Sequence, residues 1–443
     1  MRCWIVATYE PLPTVDQGSR RLRCGLLADQ LVADGHEVHW FTSTFHHVQR
    51  RNRFQKTTTV EIAPRYRITM LYAPPYEKSV SFRRVAHNRA MARALRAATR
   101  AQDAPDVILA CVPSLELAEE AVAVGRELGV PVVVDVRDPW PEVYVSVVPR
   151  GLRSLARLAL FHEFRRARRI FDSAAALTAV SGEYLRWARS LSRRAIGARD
   201  RVFPIGFPLA VEDRSDDDAT DVALDRQLRL SPNDLVATFV GMFGASYDLE
   251  TVVDAARILD ATPGHRIRIV VAGEGDKAAM LRRSAVDLHS ITFAGWLDRQ
   301  ATEALLRRSS VGLAAYAERA RQSLPNKPFE YMAFGLPIVS SLKGELAEMI
   351  AVHAIGRQYR AHDAASLAGQ LLWLWEHPAE RAEMSERART LLETRYRADD
   401  IYARFGRYLK EIAMESAHQT SAGQKSRQSA DEAPAPSHAE VAQ

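Results

Sequence analysis

The stretch Gln322-Ser-Leu-Pro-Asn-Lys-Pro-Phe-Glu-Tyr-Met-Ala-Phe-Gly-Leu-Pro-Ile-Val339 places a cation, Lys327, and a carboxylate, Glu330, beside a predicted helix start. The N–H groups at a helix N-terminus carry partial positive charge, so an anion such as a diphosphate can bind there. A carboxylate one turn later can accept hydrogen bonds from a ribose diol. The stretch therefore predicts a site for a nucleotide sugar, with an ordinary loop, helix and buried strand of an α/β domain as the alternative.

The same stretch resembles the donor-binding segment of GT-B glycosyltransferases of family four. In that segment two glutamates eight positions apart flank a Leu-Pro turn, and a small-residue helix and Gly-x-Pro-Val follow. Glu330 matches the second glutamate, whereas the first position holds Gln322. The Met-Ala-x-Gly-x-Pro ending is matched by Met332, Ala333, Gly335 and Pro337. The sequence Asn-Lys-Pro-Phe-Glu-Tyr is most similar to the corresponding segment of the bacterial enzymes that build O-antigen, capsule or exopolysaccharide.

Short apolar runs alternate with amphipathic stretches along the chain, which predicts βαβ units and parallel, doubly wound sheets. Trp4–Thr8 and Pro131–Val136 indicate strands of a first unit, and Arg20–Asp34 indicates a helix within it. The pattern restarts with the strand Val236–Val240 after an acidic break. The predicted fold class is α/β, and the resemblance implies a GT-B fold in which two Rossmann-like domains face each other across a cleft.

The composition suggests where these domains begin and end. We expect an N-terminal acceptor-binding domain over residues 1–208, an acidic linker over 209–229 and a C-terminal nucleotide-sugar-binding domain over 230–397. The helical run 398–414 is expected to cross back to the first domain, as the terminal helix does in the GT-B fold. Residues 415–443 are rich in Ser, Ala, Gln and Pro without apolar periodicity, which predicts a disordered tail.

A glycine loop after the first strand of the second domain is the predicted phosphate-binding loop. It contains Gly241 and Gly244, and the resemblance places it against the donor phosphates. Many relatives carry an arginine and a lysine after the first glycine, where this chain has Met242 and Tyr247. Either Lys327 supplies the missing cation or backbone N–H groups hold the diphosphate. The alternative interpretation is that both glycines are plain turn residues.

The nucleobase side of the cleft is predicted from further strand ends of the second domain. Gly273 and Gly295 each follow a predicted strand, and Tyr316 follows another and is expected to wall the same pocket. Asn326, beside Lys327 at the helix start, completes the expected donor-binding set. Turn glycines and a half-buried structural tyrosine are the alternative.

The acceptor side is predicted from two loops of the first domain. Gly18 and Arg20 lie between the first strand and the first helix, where a glycine lets the backbone approach a ligand and an arginine adds positive potential. Arg137, Asp138 and Trp140 lie just beyond a buried strand. We expect Asp138 to orient or deprotonate the acceptor hydroxyl, Arg137 to hold Asp138, and Trp140 to stack on a sugar ring. Helix capping and a structural Arg–Asp pair are the alternatives.

Basic residues are unevenly distributed in a chain whose formal net charge is +6 and whose pI is near 9.2. The segment Leu152–Arg169 combines arginines with leucines and phenylalanines, which is typical of a basic amphipathic helix on an anionic membrane leaflet. A solvated helix face with core leucines is the alternative. Nucleic-acid binding is disfavoured because no stacking aromatics or recognised module accompany the charge.

Other classes are disfavoured by what the sequence lacks. The three cysteines, Cys3, Cys24 and Cys111, have no metal-ligand spacing, which argues against a zinc site or a disulfide scaffold. No signal peptide and no run of about 20 apolar residues is recognisable, so we expect a cytoplasmic protein, peripheral at most to the inner membrane. No metal site and no cofactor beyond the donor substrate, most simply a UDP-sugar, is expected.

The resemblance implies a glycosyltransferase that retains anomeric configuration without a metal ion. Lys327 and the helix N-terminus would stabilise the departing diphosphate, Glu330 would bind the ribose, and the acceptor would be a lipid-linked saccharide. Two alternatives remain, a GT-B sugar-nucleotide epimerase and a non-catalytic sugar-nucleotide-binding partner in a polysaccharide assembly complex. The variant positions Gln322, Met242 and Tyr247 leave the second alternative open. A nicotinamide-dependent oxidoreductase is disfavoured because Gly-x-Gly-x-x-Gly does not follow the first strand.

Overall fold

The computed structural model describes residues 1–13, 15, 20–47, 50–77, 82–194, 197–209 and 224–431. Gly18 and most of the predicted linker, residues 210–223, lie outside the described residues, as does the end of the predicted tail, residues 432–443. The described residues form two lobes, each built on one sheet.

The N-lobe contains ten of the described strands. They are β1 (Arg2–Val6), β2 (Glu37–Ser43), β3 (Phe45–His46), β4 (Arg51–Asn52), β5 (Thr58–Ala63), β6 (Tyr66–Leu71), β7 (Val107–Val112), β8 (Val132–Val136), β9 (Ala176–Ala179) and β10 (Arg201–Val202). Eight of them form one sheet in the order β10-β9-β8-β7-β1-β2-β6-β5, and β3 pairs with β4 separately. All neighbours in the large sheet are parallel except β5 and β6. β7 and β8 are buried along their whole length, and apart from Asp135 of β8 all their residues are apolar.

Helices cover both faces of the N-lobe sheet. They are α1 (Arg23–Ala33), α2 (Phe82–Thr99), α3 (Leu115–Leu128), α4 (Glu142–Val147), α5 (Arg153–Ala159), α6 (Phe161–Ser173) and α7 (Gly182–Leu191). Two apolar clusters, one on each face, bury the sheet between these helices.

The C-lobe repeats the design with a six-stranded, fully parallel sheet. Its strands are β11 (Leu235–Val240), β12 (Ile267–Ala272), β13 (Ile291–Gly295), β14 (Val311–Ala314), β15 (Ile338–Ser340) and β16 (Gly356–Gln358), in the order β13-β12-β11-β14-β15-β16. Its helices are α8 (Leu249–Asp260), α9 (Ala278–Ser284), α10 (Arg299–Arg308), α11 (Asn326–Ala333), α12 (Glu345–His353), α13 (Ala364–Glu376) and α14 (Pro378–Leu391). The predicted α/β class with two Rossmann-like parallel sheets is confirmed.

The topology determines where a ligand can bind. In the C-lobe sheet β11 lies between β12 and β14. The chain adds β12 and β13 on one side of β11 and then crosses over to add β14 on the other side. Open parallel sheets bind ligands at the carboxyl ends of their strands, beside such a switch point. The N-lobe has the equivalent arrangement at β1, which lies between β7 and β2. The loops at these strand ends therefore contain the candidate residues.

The last helix, α15 (Ala398–Asp431), packs against the N-lobe although it follows the C-lobe in sequence. Its Phe405 ring stacks on Phe203 with centroids 4.3 Å apart, and Gly406 lets the helix approach Leu31 of α1 closely. The helix continues to Asp431, so it includes residues 415–431, the first part of the tail that the sequence predicts to be disordered. An established helix adds residues at little cost even without an apolar face.

Candidate active site

Two glycine loops of the C-lobe pack backbone against backbone at the carboxyl ends of β11 and β12. Gly241 and Gly273 have φ angles of 149° and 132°, which side chains rarely allow. A Cβ on Gly273 would lie 1.9 Å from the Gly241 carbonyl oxygen, so a larger residue would push the loops apart. The N–H of Gly241 donates to Ala272 at 2.9 Å, and that of Gly273 donates to Gly295 at 2.7 Å. The N–H groups of both glycines are thus engaged within the protein.

Lys327 fills the space that the missing side chain of Gly241 leaves. A Cβ on Gly241 would lie 2.0 Å from Lys327 Nζ. The ammonium donates to the carbonyl oxygen of Val240 and lies 4.9 Å from the ring centre of Phe239 and 4.8 Å from that of Tyr247. Tyr247, where many relatives carry a cation, therefore supports Lys327 through a cation–π contact. Helix α11 brings this cation to the glycine loop that the sequence predicts to bind phosphate, next to the exposed Asn326.

Glu330 forms an ion pair across the cleft with Arg20 of the N-lobe. Arg20 Nη1 lies 2.7 Å from Glu330 Oε1, and the two side chains are 26% and 17% exposed. The guanidinium of Arg20 also lies over the ring of Phe207, 4.3 Å from its centre. Arg20 and Glu330 are thus brought together, although the sequence predicts them on opposite sides of the reaction.

A second bridge between the lobes is formed by Glu345, which the sequence reasoning missed. Its carboxylate accepts hydrogen bonds from the N–H groups of Gly182 and Glu183, both at 3.1 Å, and from Ser323 Oγ at 2.9 Å. The N–H groups belong to the first turn of α7, so the carboxylate caps that helix from the other lobe. Beside it, Tyr184 donates its hydroxyl to the Arg321 carbonyl at 2.9 Å. In the sequence, the pair Ser181-Gly182 can be recognised as an edge of the cleft. Nothing in that pair identifies Glu345 as its partner.

Arg137 does not form the predicted ion pair with Asp138. Its guanidinium pairs with the buried Glu10, which also accepts a hydrogen bond from the N–H of Cys24 at 2.9 Å, at the start of α1. The prediction that Arg137 holds Asp138 is therefore wrong, because Glu10, from the loop after β1, is the nearer carboxylate. The missed pair of Arg23 and Asp135 is also buried, with its two hydrogen bonds at 2.8 and 2.9 Å.

Asp138, on the N-lobe side, is a carboxylate whose surroundings differ from those of Glu10 and Asp135. Among the described residues, its carboxylate has no hydrogen-bond or ion-pair partner. Burial raises the pKa of Asp138 to about 6, against an opposing effect of the nearby Arg137. Its charge is also close enough to Tyr184 to contribute to the raised pKa of that phenol, behind the larger effect of burial. Asp138 therefore lies near the interlobe contact and changes charge near neutral pH.

The remaining predicted residues divide between the surface and the core. Gly244 has open space around it, and Gly295 contributes a carbonyl to the glycine loops. Tyr316 is 0% exposed and packs against Tyr247, so it supports the site from behind and does not wall a pocket as predicted. Because Tyr316 comes directly after β14, its side chain lies in the core. Trp140 is half-buried and packs edge-on against Tyr144, with centroids 4.5 Å apart.

Gln322, at the variant family position, has a side-chain oxygen that is buried and unpaired among the described residues. A buried carbonyl oxygen without a donor is costly, and a ligand hydroxyl can satisfy it. The described residues contain no group of three or more His, Cys, Asp or Glu that could hold a metal ion. Within the same residues, no helix is both long and apolar enough to cross a bilayer.

Comparison with known families gives a match for the C-lobe part of the chain. Residues 234–377, which contain β11 to α13, match the family described as Glycosyl transferases group 1. The D-rhamnosyltransferase WbpZ of Pseudomonas aeruginosa is 30% identical over 148 residues, which are 32% of this chain and 36% of that protein. A GDP-mannose-dependent alpha-(1-6)-phosphatidylinositol dimannoside mannosyltransferase of Mycobacterium tuberculosis is 27% identical over 51% of this chain and 55% of its own length. The matches thus span about a third and about half of these curated relatives.

Solved structures are similar over nearly the whole chain. Sucrose-phosphate synthase from Thermosynechococcus elongatus has a TM-score of 0.68 at 17% identity, covering 93% of this chain and 98% of that one. Anabaena HepE in complex with UDP has a TM-score of 0.65 at 13% identity, with coverages of 93% and 100%. WaaG, a glycosyltransferase involved in lipopolysaccharide biosynthesis, has a TM-score of 0.61 at 14% identity, with coverages of 93% and 98%. The chain has the GT-B fold, and residues 234–377 of its C-lobe match the family described as Glycosyl transferases group 1.

Proposed function

We propose that this chain is a glycosyltransferase that moves a sugar from a nucleotide-diphosphate donor to an acceptor in the biosynthesis of a cell-surface polysaccharide. The observation that carries the proposal is the placement of Lys327 and Glu330 on the first turns of α11, within the matched domain. Lys327 meets the glycine loop of β11, and Glu330 faces the opposite lobe. A cation and a carboxylate at this spacing suit the diphosphate and the ribose of one donor.

Lys327 and the N-terminus of α11 would bind the diphosphate and stabilise its negative charge as the sugar departs. The N–H groups of Gly241 and Gly273 are occupied, which increases the dependence of that charge on Lys327. Glu330 would accept hydrogen bonds from the ribose hydroxyls once Arg20 releases it. Asp138 would orient the acceptor hydroxyl from the N-lobe.

The donor sugar is proposed from chemistry at the variant position. Gln322 offers its unpaired amide oxygen, a neutral acceptor for a sugar hydroxyl or an N-acetyl N–H, where family four carries a charged glutamate. We propose a UDP-linked N-acetylated hexose as the first donor to test and GDP-mannose as the second, since one relative is named as dependent on it. We further propose retention of anomeric configuration without a metal ion, as the family-four resemblance implies.

A lipid-linked acceptor is proposed from a surface of the N-lobe that we call the apolar ridge. It consists of Leu152, Leu155, Leu158 and Phe161, which are 53%, 63%, 71% and 49% exposed. These four side chains recur every third residue across α5 and the start of α6, and they stand among arginines such as Arg165. Exposed leucines beside cations are suited to an anionic leaflet, where the apolar groups insert and the arginines meet headgroups.

A purified-protein assay tests the proposed activity. The melting temperature would first be measured against a panel containing UDP-N-acetylglucosamine, UDP-glucose and GDP-mannose. The stabilising donor would then be incubated with a polyprenyl-diphosphate sugar, and the product's anomeric configuration read by NMR. We expect stabilisation by one donor and transfer with retention. Stabilisation without transfer or donor hydrolysis would instead support the non-catalytic partner, for which Met242 and Gln322 are the favouring features.

The reaction product distinguishes an epimerase from a glycosyltransferase. An epimerase would return a changed nucleotide sugar without any acceptor, whereas a transferase releases free nucleoside diphosphate. Chromatography of the donor after incubation distinguishes these results, and an epimerised donor would reject the proposal.

A further inference from the structure

A groove lies at the junction between the two lobes, beside the two places where the chain crosses from one lobe to the other. The two crossings are paired, since the N–H of Phe207 donates to the Tyr396 carbonyl at 2.9 Å and that of Ala398 donates to the Phe207 carbonyl at 3.0 Å. The groove has a volume of about 820 Å³ and is lined by residues 201–204, by residues 394–396 and by one face of α15. That volume is sufficient for a small ligand.

Four exposed arginines line this groove, which we call the arginine groove. Arg201 belongs to β10, and Arg395 belongs to a π-helical turn over Leu392–Tyr396. The other two, Arg404 and Arg407, lie on one face of α15. Among the described residues, none of the four forms an ion pair with a carboxylate. Three separate segments thus bring guanidinium groups to one groove, and π-helical turns are frequent at functional sites.

The two carboxylates of the arginine groove do not neutralise these arginines. Asp400 Oδ2 lies 3.9 Å from Nε of Arg397, which is not part of the lining, and Arg404 donates only to the backbone carbonyl of Asp400, at 3.3 Å. Glu411 has no ion pair among the described residues. The lining therefore carries two more positive than negative charges. Because like charges repel one another, an anion that binds between the guanidinium groups stabilises this arrangement.

An aromatic contact connects the arginine groove to α11. Tyr396, which lines the groove, is half-buried, and its ring centre lies 5.0 Å from that of the buried Phe329. Phe329 lies on α11 between Lys327 and Glu330. A change in the position of the Tyr396 ring therefore alters the packing of the helix that carries both charged residues.

We propose that the arginine groove binds a soluble anion that carries two or more phosphate groups. A guanidinium group is suited to phosphate oxygens because it can donate two parallel hydrogen bonds to them. Because the arginines belong to three segments, an extended anion with several phosphate groups can pair with more than one of them at once. This binding does not depend on the proposed function, since no residue of the groove belongs to the proposed donor site.

The bound anion is expected to weaken donor binding, and this part of the inference rests on the proposed function. The groove is present in the same arrangement of the lobes in which Arg20 holds Glu330 at 2.7 Å. A ligand that binds one arrangement more tightly shifts the population of molecules towards it. An anion in the arginine groove therefore stabilises the arrangement in which Glu330 is not available to the ribose.

Calorimetric titration with tripolyphosphate at physiological ionic strength tests the site. Because this probe can also bind at the proposed donor site, the titration uses Lys327→Ala, which lacks the cation of that site. We expect binding at one site, about tenfold tighter than that of orthophosphate. Adding Arg404→Gln with Arg407→Gln should weaken tripolyphosphate binding about tenfold or more. The matched control adds Arg89→Gln with Arg93→Gln, two exposed arginines of α2, and should leave binding unchanged.

Two results would overturn the site. They are the absence of tripolyphosphate binding, and binding that the groove variant weakens no more than the control variant does. Because Arg404 and Arg407 are exposed, the groove variant should keep the melting temperature of its parent. If it does not fold, the exposed Arg395 provides a second variant, Arg395→Gln, which should weaken tripolyphosphate binding about fivefold.

The effect on the donor is measured in the protein with Lys327 intact. The nucleotide sugar that most raises the melting temperature is titrated with and without tripolyphosphate. The anion should raise the dissociation constant of the donor about fivefold or more, and less than about twofold in Arg404→Gln with Arg407→Gln. An unchanged constant, or an equal rise in the double variant, as direct competition would give, would overturn the coupling. If no nucleotide sugar binds, the proposed function fails, whereas the tripolyphosphate titration still decides the groove.

Discussion

Replacing Arg20 with glutamine should tighten the binding of the donor. In the structure without ligand, Glu330 is held by Arg20 at 2.7 Å, and the ribose must displace that arginine before it can use the carboxylate. The wild-type protein therefore binds the donor with only the fraction of molecules in which Glu330 is released. Arg20→Gln removes the competing charge and leaves Glu330 free.

The size of the effect follows from the exposure of the ion pair. Both side chains are partly solvent-accessible, at 26% and 17%, which places the pair between an exposed salt bridge and a buried one. We take its net value as about 1 kcal/mol after discounting for solvent screening. That value leaves Glu330 free in about one molecule in six, so the variant should bind the donor about sixfold more tightly.

Calorimetric titration with the nucleotide sugar that most raises the melting temperature measures this change. Arg21→Gln is the matched control, because the neighbouring Arg21 pairs with Asp29 on its own side of the cleft. Its dissociation constant should equal that of the wild type. An Arg20→Gln variant with unchanged or weaker donor binding would refute the reasoning, since Arg20 would then be a donor ligand and not a competitor.

The remaining predictions concern catalysis, membrane contact and pH. Lys327→Ala and Glu330→Ala should each lower the transfer rate by about 10²-fold or more, measured as kcat/KM for the donor, because each removes a charge that stabilises the bound diphosphate or ribose. Leu155→Asp with Leu158→Asp should abolish flotation with anionic liposomes at low salt, because the apolar ridge inserts its leucines. Transfer should fall as the pH drops below about 6, because the Asp138 carboxylate is then protonated. Because the pKa of Asp138 is higher in the folded than in the unfolded protein, ionising this carboxyl lowers the free energy of unfolding as the pH rises from the unfolded-state pKa through 6. Asp138→Asn should therefore have a higher melting temperature than the wild type at about pH 7 and the same melting temperature below about pH 4.

The predictions on catalysis and on membrane contact each have a control variant. Lys343→Ala removes an exposed lysine outside α11 and should leave transfer unchanged. Leu128→Asp alters an exposed leucine at the end of α3 and should leave flotation unchanged. Near-normal transfer by Lys327→Ala, flotation by the double aspartate variant, or an acid limb that survives Asp138→Asn would each reject the corresponding assignment.

Strong local patterns allowed much of the fold to be predicted. The apolar runs Pro131–Val136 and Val236–Val240 were each predicted to within one residue of the strands Val132–Val136 and Leu235–Val240 in the structure. The strands Thr58–Ala63 and Tyr66–Leu71 were missed, because their turn contains Arg65 in a left-handed conformation where glycine or asparagine would be the expected signal. The helix Glu345–His353 was also missed.

Within the candidate site, the sequence predicted the presence of charges better than their partners. Lys327 was expected beside the glycine loop and lies against Gly241, since the family resemblance fixed both positions. The partner of Glu330 could not be predicted, because Arg20 is 310 residues away and no local pattern encodes that contact. Arg137 was assigned to Asp138, the adjacent residue, whereas folding brings Glu10 to it from another strand end.

The final helix completes the N-lobe from the far end of the chain. Ile401, Tyr402 and Phe405 are buried in the same apolar cluster as Ile5 and Leu27. During synthesis, the first two hundred residues therefore emerge before the helix that completes one face of their sheet, and the part of this face that α1 does not cover stays exposed until α15 has been made. A single cut between the lobes would leave the first half with exposed apolar surface, so we expect the two halves to be obtained as folded protein only when expressed together.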